Sequence, residues 1–270
     1  MISIKTPEEI KIMSEGGKIL AGIMEELRKT VRPGITTKML EELSKSLIFK
    51  YGGECSFKNY NVSDDGSPVK LYPSCLCTSI NEEIVHAVPS GRILEEGDII
   101  SLDLGFHYKG FHTDMARTFP VGKISAQNKR LIEVTKKSLE MGIEKVKPGN
   151  RIGDIGRVIQ KYAESQGFNV VRELCGHGIG RKVHEDPEIL NAVSFEKEMV
   201  DKVKFTGDGN IKIKEGMVLC LEPMVTVGDW HIKKSKDGFG WKTEDDSLSA
   251  HFEETLAVMK DGAKVLTVIK

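Results

Sequence analysis

The sequence predicts an α+β fold in which one unit of helices and a β-hairpin occurs twice. Residues 31–34 (VRPG) recur as residues 146–149 (VKPG), each time after an amphipathic helical pattern. Residues 96–103 (EGDIISLD) recur as residues 215–222 (EGMVLCLE), and both copies read as a strand that ends in an acidic residue. The two repeated pairs follow the same order, so we expect two related halves whose hairpins face each other.

Each half is predicted to begin with two helices. Thr6 caps the first helix, Pro7 fits its first turn, and Glu9 completes a capping box. The second helix of each half ends at a glycine, Gly52 or Gly167. The apolar stripes of the first helices recur at helical spacing, and they are Ile10, Met13, Leu20, Ile23 and Leu27 in one half and Leu131, Val134, Leu139 and Ile143 in the other.

The hairpin of the first half places two aspartates on one face. Two stretches are predicted to be strands: an apolar run that ends at Asp103, and an alternation of polar and aromatic residues that contains Asp114. A turn at Lys109-Gly110 joins them. This turn puts Asp103 opposite Ala116, so the two aspartates are diagonal neighbours about 7–8 Å apart on the same face. Two carboxylates in apolar surroundings repel unless one is protonated or a cation lies between them.

The second half supplies a counterpart for each aspartate. Glu222 ends the strand that corresponds to the strand of Asp103, and the final hairpin offers Glu253 or Glu254 as the counterpart of Asp114. If the two hairpins face each other, four carboxylates meet at one centre, and this predicts a metal site. With one histidine added, the oxygen-rich set suits a pair of ions such as manganese or iron at least as well as zinc.

One histidine stands out by its surroundings. His177 lies among three glycines in residues 175–180 (CGHGIG), where the backbone can approach another group closely. The glycine string lacks the rest of a dinucleotide-binding pattern, and the residues after His184 do not form a zincin motif. His184 and His86 are further candidates, while no role is assigned to His107, His112, His231 and His251.

Composition limits the class of protein. The 270 residues include 39 basic and 40 acidic side chains, which predicts neither a nucleic-acid partner nor a membrane surface. No apolar run reaches the length of a membrane span. The five cysteines are scattered and lack zinc-knuckle spacing, so we expect a reduced cytoplasmic protein whose cysteines are mostly small core or pocket residues.

Six strings in this sequence resemble the type I, bacterial-like methionine aminopeptidases, of the pita-bread metallopeptidase family. They are CTSINEEIVHAVP (77–89), LEEGDIISLDLG (94–105), GFHTDMARTF (110–119), CGHGIGRKVHEDPEI (175–189), EGMVLCLEPMV (215–225) and SLSAHFEETLAV (247–258). The resemblance implies the pseudo-twofold pita-bread fold, with a central antiparallel sheet backed by helices. It also implies one catalytic domain over residues 1–270, with repeats over roughly 6–122 and 125–265.

The resemblance carries roles over to individual residues. It implies that the metal ligands are Asp103, Asp114, His177, Glu222 and Glu253. It thereby favours Glu253 over Glu254, which stands where the family often has histidine. Three residues are implied to act on the substrate: His86 contacts its amino end and the scissile amide, His184 contacts the carbonyl oxygen, and Glu222 transfers a proton.

The same resemblance implies an apolar slot for the methionine side chain, lined by Tyr72 and Cys77. Three features differ from the family: Val183 replaces a frequent aromatic residue, residues 57–71 form a longer and more polar loop at the cleft rim, and residues 192–213 are extended. Asn81 and Ser249 match positions whose backbone binds a monovalent cation in some relatives.

The implied function is metal-dependent removal of N-terminal methionine from nascent proteins and peptides when the second residue is small. Two divalent ions are implied, with manganese, iron, cobalt and zinc all open. A cytoplasmic monomer is expected, and a transient contact with the ribosome is left open. Because Ile2 is bulky, the protein is expected to keep its own Met1.

Two alternatives remain. A prolidase or aminopeptidase P shares the fold and the five ligands, but such proteins usually carry an additional N-terminal domain, for which the helix beginning near Thr6 leaves no room. A non-catalytic pita-bread binding module is the other alternative, although such modules typically lose ligands.

Overall fold

The structure is a computed structural model that describes residues 2–63, 68–193 and 209–269. Met1, part of the predicted rim loop (64–67) and most of the predicted 192–213 extension (194–208) lie outside the described residues. In the described part of the chain, no helix is both long and apolar enough to cross a membrane.

The first half contains two helices followed by strands. Its helices are α1 (Pro7–Thr30) and α2 (Thr37–Lys50), and its strands are β1 (Glu54–Cys55), β2 (Leu76–Ile80), β3 (Glu83–Val85), β4 (Ile99–Tyr108) and β5 (Phe111–Pro120). Helix α1 begins with the predicted capping box, in which the Thr6 hydroxyl accepts from the Glu9 N–H and the Glu9 carboxylate accepts from the Thr6 N–H.

The second half repeats this order. Its helices are α3 (Ala126–Ile143) and α4 (Ile152–Ser165), followed by β6 (Asn169–Val170), β7 (Cys175–Gly178), β8 (Glu185–Leu190), β9 (Val218–Leu221), β10 (Met224–Thr226), β11 (Ile232–Lys234), β12 (Trp241–Thr243), β13 (Ser249–His251), β14 (Glu254–Met259) and β15 (Gly262–Val265). Gly97 before β4 and Gly216 before β9 both have positive φ, so the repeated Glu-Gly string makes the same kind of turn twice.

Two antiparallel sheets form the centre of the molecule. In the first, β4 pairs with β5 on one side and with both β1 and β2 on the other. The second has the order β15-β14-β9-β7-β8. The sheets meet where Ala116 of β5 and Glu253 exchange backbone hydrogen bonds, and where the Thr255 hydroxyl bonds to both the N–H and the carbonyl of Asp114.

Helices cover each sheet through a separate hydrophobic core. In the first half, α1 and α2 pack on β2 and β4 through residues that include Leu20, Leu27, Leu40, Ile48, Leu76, Leu102 and Phe106. In the second half, α3 packs on β9 and β13 and α4 packs on β8, in a core whose residues include Leu131, Leu139, Ile155, Ile159, Leu219, Leu221 and Val258. The predicted α+β arrangement of two similar halves is therefore confirmed.

The hairpin β4–β5 has the predicted register. Tyr108 pairs with Phe111, and Asp103 pairs with Ala116. The turn residues Lys109 and Gly110 have φ of 49° and 84°, the left-handed values that a two-residue hairpin loop requires. A loop of different length would have moved one aspartate to the opposite face, so this turn fixes the geometry of the site.

The expectation of unpaired cysteines is wrong for two of the five. Cys55 and Cys75 form a disulfide across a sequence separation of 20 residues. The pair is brought together because β1 and the residues before β2 lie end to end along the same edge of β4, with Cys55 opposite Phe106 and Leu76 opposite Leu104. Cys77, Cys175 and Cys220 are free thiols.

Candidate metal centre and substrate cleft

The five predicted metal ligands come from strands on both sides of the seam between the two sheets. Asp103 lies on β4, Asp114 on β5 and His177 on β7. Glu222 directly follows β9, and Glu253 directly precedes β14. Asp103 and Asp114 thus lie within their strands and Glu222 and Glu253 lie next to theirs, and the antiparallel pairing of β4 with β5 and of β9 with β14 brings the acidic residues of each half together.

Potential ligand atoms form two overlapping groups. Asp103, Asp114 and Glu253 each offer an atom within 4.8 Å of the others, and so do His177, Cys220 and Glu253. Glu253 is the residue that the two groups share. Cys220 was not predicted at the site, and its thiol also contacts the Thr255 hydroxyl at 3.5 Å.

Glu222 belongs to neither group but lies beside the cluster. Its carboxylate oxygens lie 3.6 Å from His177 Nε2 and 3.7 Å from His251 Nε2. His251 is buried, and neither of its ring nitrogens has a hydrogen-bond partner among the described residues. The sequence analysis assigned no role to His251, because its only signal is a position two residues before Glu253.

The carboxylates are poorly satisfied by the protein alone. Asp103, Asp114 and Glu253 are buried, and one oxygen of each has no hydrogen-bond partner in the described part of the chain. Burial raises the pKa of Asp103 to about 7. Burial, followed by repulsion from neighbouring carboxylates, also raises the pKa of Asp114, Glu222 and Glu253. Buried carboxylate oxygens that lack a hydrogen-bond partner and repel one another are suitable ligands for divalent cations. Such a cation coordinates their lone pairs and offsets the repulsion.

The ring of His177 is oriented for metal binding. Its Nδ1–H donates to the Gly178 carbonyl at 2.9 Å, which leaves the lone pair on Nε2, the nitrogen near Glu222. Burial lowers the pKa of His177, so the ring stays neutral and its lone pair available. The glycines around it are required by packing, since a Cβ at Gly176 would lie 2.2 Å from the Cys220 carbonyl oxygen.

The cluster lies in a cavity of about 520 Å³. All nine residues predicted for the site line it, and they are Tyr72, Cys77, His86, Asp103, Asp114, His177, His184, Glu222 and Glu253. They come from seven separate stretches of the chain, so the cavity is a product of the fold and not of any one motif.

Two further histidines border the cavity beside the carboxylates. The rings of His184 and His177 meet edge to face with centroids 4.4 Å apart. Loss of hydration lowers the pKa of His184 and of His86 to about 4, so both rings are neutral at neutral pH. His86 has a positive φ of 60°, a backbone conformation that is uncommon outside glycine and turns its side chain out of the regular strand direction.

Aromatic side chains form the apolar part of the cavity. Tyr72 donates its hydroxyl to the carbonyl of Ala87 or Leu76, at 3.2 and 3.3 Å, and its ring meets Phe239 edge to face. Tyr60, Phe239 and Trp241 also line the cavity and were not predicted. Val183 is buried and is not a lining residue, so the aromatic surface comes from residues elsewhere in the chain.

Glu254 has a partner of its own. Its carboxylate contacts the guanidinium of Arg117 and the hydroxyl of Thr267. Arg117 also donates to the backbone carbonyls of Ala116 and Glu253, at 2.8 and 2.6 Å. The residue that stands in place of a family histidine is therefore held in an ion pair that supports the backbone of the candidate ligand Glu253.

The fold and this carboxylate–histidine centre define a metallopeptidase. Residues 11–260 match the model of metallopeptidase family M24, and the chain belongs to that family. Methionine aminopeptidase 1 of Bacillus subtilis strain 168 is 42% identical over 267 residues, which cover 99% of each chain.

Solved structures agree with this assignment. The crystal structure of methionine aminopeptidase from Rickettsia prowazekii superposes with a TM-score of 0.89 at 36% identity and covers 99% of this chain and 100% of that one. Prolidase from Pyrococcus furiosus superposes with a TM-score of 0.75 at 20% identity, covering 99% of this chain and 66% of that one, and this likeness shows the fold alone. The pseudo-twofold pita-bread fold is thus confirmed.

Proposed function

We propose that this protein removes N-terminal methionine from peptides and nascent proteins when the second residue is small. The observation that carries the proposal is the pair of ligand groups sharing Glu253 beneath a cavity that is largely walled by aromatic and apolar side chains. The methionine aminopeptidases of similar sequence over nearly the whole chain support the same substrate class.

The proposed metal ligands are Asp103, Asp114, His177, Glu222 and Glu253. Two divalent ions held there, with manganese, iron, cobalt and zinc all chemically suitable, would supply Lewis-acid polarisation of the peptide carbonyl and would acidify water. A monovalent cation at the backbone of Asn81 and Ser249 is a further proposal. In the structure Ser249 N–H donates to the Asn81 carbonyl at 2.9 Å, so the two positions are adjacent.

Protein groups perform the remaining steps. Glu222 takes a proton from the attacking water and returns it to the leaving amine, a transfer that its position on the wall of the cavity allows. His184 donates to the carbonyl oxygen as negative charge develops there, and His86 contacts the amino end of the substrate and the scissile amide. Tyr72 and Cys77, with the aromatic side chains beside them, hold the methionine side chain in the cavity.

The alternative substrate class is tested directly with two matched peptides. Metal-stripped protein is assayed on Met-Ala-Ser and on Ala-Pro-Ser, with manganese, iron(II), cobalt or zinc added back. The proposal expects metal-dependent release of methionine and no cleavage of the proline peptide. Cleavage of Ala-Pro-Ser instead would identify a proline-directed peptidase, and cleavage of neither by folded protein would favour a binding module.

The role of Glu222 is tested by Glu222→Gln, which keeps the shape of the side chain. We expect turnover of Met-Ala-Ser to fall at least about 100-fold, because a general base in this position contributes that much. Glu215→Gln, at an exposed position on the turn before β9, is the matched control and should remain active. Turnover of Glu222→Gln at the wild-type rate would exclude the proton-transfer role.

The setting of this activity follows from the substrate. We propose a single catalytic domain that acts as a monomer in the cytoplasm, where nascent chains emerge, with a transient ribosome contact as an additional partner. Gel filtration of the purified protein and sedimentation with ribosomes test these two points separately.

A further inference from the structure

Tyr60 makes a direct contact with one of the proposed catalytic residues. Its hydroxyl oxygen lies 2.7 Å from Nδ1 of His184, and the two rings meet edge to face with centroids 4.9 Å apart. The residues are 124 positions apart in the sequence, and both line the cavity.

The backbone around Tyr60 is well anchored. The Tyr60 N–H donates to the Phe57 carbonyl at 2.9 Å, and the Tyr60 carbonyl accepts from the Tyr72 N–H at 2.8 Å. Next to it, the Asn59 N–H donates to the Tyr72 carbonyl at 2.8 Å. The backbone of Tyr60 is thus hydrogen-bonded to that of the proposed slot residue Tyr72.

A neutral imidazole carries one proton, and the partner of one nitrogen decides which nitrogen holds it. If Nδ1 of His184 accepts from a hydroxyl, the ring proton must lie on Nε2. Nε2 forms no hydrogen bond within the ranges that the structure describes, so it is the nitrogen available to a ligand in the cavity. A donor at Nε2 is what the carbonyl oxygen of the scissile bond requires.

We propose that Tyr60 is a positioning residue that donates its hydroxyl proton to His184 Nδ1 and so keeps the imidazole proton on Nε2, facing the scissile carbonyl. The inference rests on the role proposed above for His184. A phenol is well suited to this task because it remains protonated at neutral pH and its rigid ring holds the hydroxyl in one place.

Tyr60→Phe separates this role from a purely structural one. The variant keeps the ring, and with it the wall of the cavity, and removes only the hydroxyl. We expect kcat on Met-Ala-Ser to fall about tenfold with little change in KM, because loss of a residue that orients a functional group costs about 10–100-fold and the contact matters most in the transition state. Tyr51→Phe, at an exposed tyrosine that ends α2, is the matched control and should retain wild-type kinetics.

A second readout does not depend on activity. Nitrogen-15 NMR of the histidine rings in metal-free protein distinguishes a protonated Nε2 from a protonated Nδ1. We expect His184 to be protonated on Nε2 in the wild type and to become a mixture of the two tautomers in Tyr60→Phe. The spectrum of Tyr51→Phe should match the wild type.

His184→Asn completes a double-mutant cycle. If Tyr60 acts through His184, adding Tyr60→Phe to His184→Asn should cause no further loss of kcat. The positioning role would be overturned if Tyr60→Phe had wild-type kinetics and an unchanged tautomer, or if it changed KM alone. In that case an impaired His184→Asn would still support the proposed function of His184. An unimpaired His184→Asn would overturn that function, and the positioning role with it.

Discussion

Single residues around the metal centre are supported by partners that a motif does not reveal. Glu253 is the clearest case, because its backbone carbonyl accepts from Arg117, whose guanidinium also pairs with Glu254. The ion pair is mostly shielded, with side-chain exposures of 20% and 13% for Arg117 and Glu254. Such a pair fixes geometry more reliably than an exposed pair, whose partners remain solvated.

Glu254→Gln is expected to weaken this support. Loss of the charge leaves Arg117 without its carboxylate, and we expect the free energy of unfolding to fall by about 2 kcal/mol and the affinity for manganese to fall about tenfold. Calorimetry measures both quantities. Glu140→Gln removes the partner of Lys137 in an exposed pair and should change stability by less than about 0.5 kcal/mol. Equal effects of the two variants would contradict the supporting role of Glu254.

Pairs of elements set the distances within the site. The β4–β5 hairpin brings Asp103 and Asp114 to one face only in the register that the Lys109-Gly110 turn allows. Gly110 has a φ of 84°, and a Cβ built there would meet nothing within 4 Å, so backbone strain alone disfavours a side chain.

Gly110→Ala is therefore expected to destabilise the protein by about 1 kcal/mol, since alanine is strained at positive φ. Gly22 in α1 also has open space around its Cβ position but has helical backbone geometry. Gly22→Ala should stabilise the protein by up to about 1 kcal/mol, because alanine is the better helix former. Urea denaturation measures both changes, and opposite signs are required. A stabilising Gly110→Ala would refute the strain argument.

The Cys55–Cys75 disulfide links β1 to the residue before β2 and closes the segment that contains Tyr60 and Tyr72. Protein unfolded without reductant should therefore present three titratable thiols. Reduction should lower the free energy of unfolding by about 3 kcal/mol, since the opened loop gains conformational freedom. Cys175→Ser, which removes a free thiol, should leave the effect of reductant unchanged. A count of five thiols before reduction would show that the bond is absent.

The molecule as a whole concentrates negative charge in its interior, and this makes stability depend on pH and metal. The raised pKa values of Asp103, Asp114, Glu222 and Glu253 mean that the folded metal-free protein holds protons that the unfolded chain has released. For Asp103 this contribution to stability is complete below about pH 4 and is lost as the pH rises through about 7, and the other three carboxyls act in the same direction.

Five histidines act in the opposite direction at lower pH. Loss of hydration lowers the pKa of His86, His112 and His184 to about 4 and that of His251 to about 3, and it also lowers the pKa of His177. Their contribution to stability is present above the unfolded value of about 6.5 and is lost as the pH falls towards their folded values. Above pH 6.5 the unfolded histidines also become increasingly neutral, so their opposing contribution fades and the carboxylates dominate the trend there.

We therefore expect the melting temperature of metal-free protein to fall between about pH 6.5 and 8. Divalent ions bind the deprotonated carboxylates, so added manganese should stabilise the protein more at pH 8 and should release protons on binding. Differential scanning calorimetry at both pH values, with titration calorimetry in buffers of different ionisation enthalpy, measures these effects. A melting temperature that rises with pH in this window, or binding without proton release, would contradict the account.

Features set by short stretches of sequence could be predicted. The capping box of α1, the turn at Lys109-Gly110 and the diagonal placement of Asp103 and Asp114 follow from local hydrogen bonding and from the two-residue period of a strand. The repeated strings predicted two similar halves, because the same local pattern folds in the same way twice.

The tertiary structure alone decided which distant residues meet. The disulfide, the contact of Tyr60 with His184, the Arg117–Glu254 pair beside Glu253 and the burial of His251 against Glu222 join residues that lie between 20 and 137 positions apart. Local periodicity determines the face on which a side chain lies but not what packs against that face. Those contacts arise only when the helices and sheets of the two halves bury their apolar surfaces and bring distant strands together.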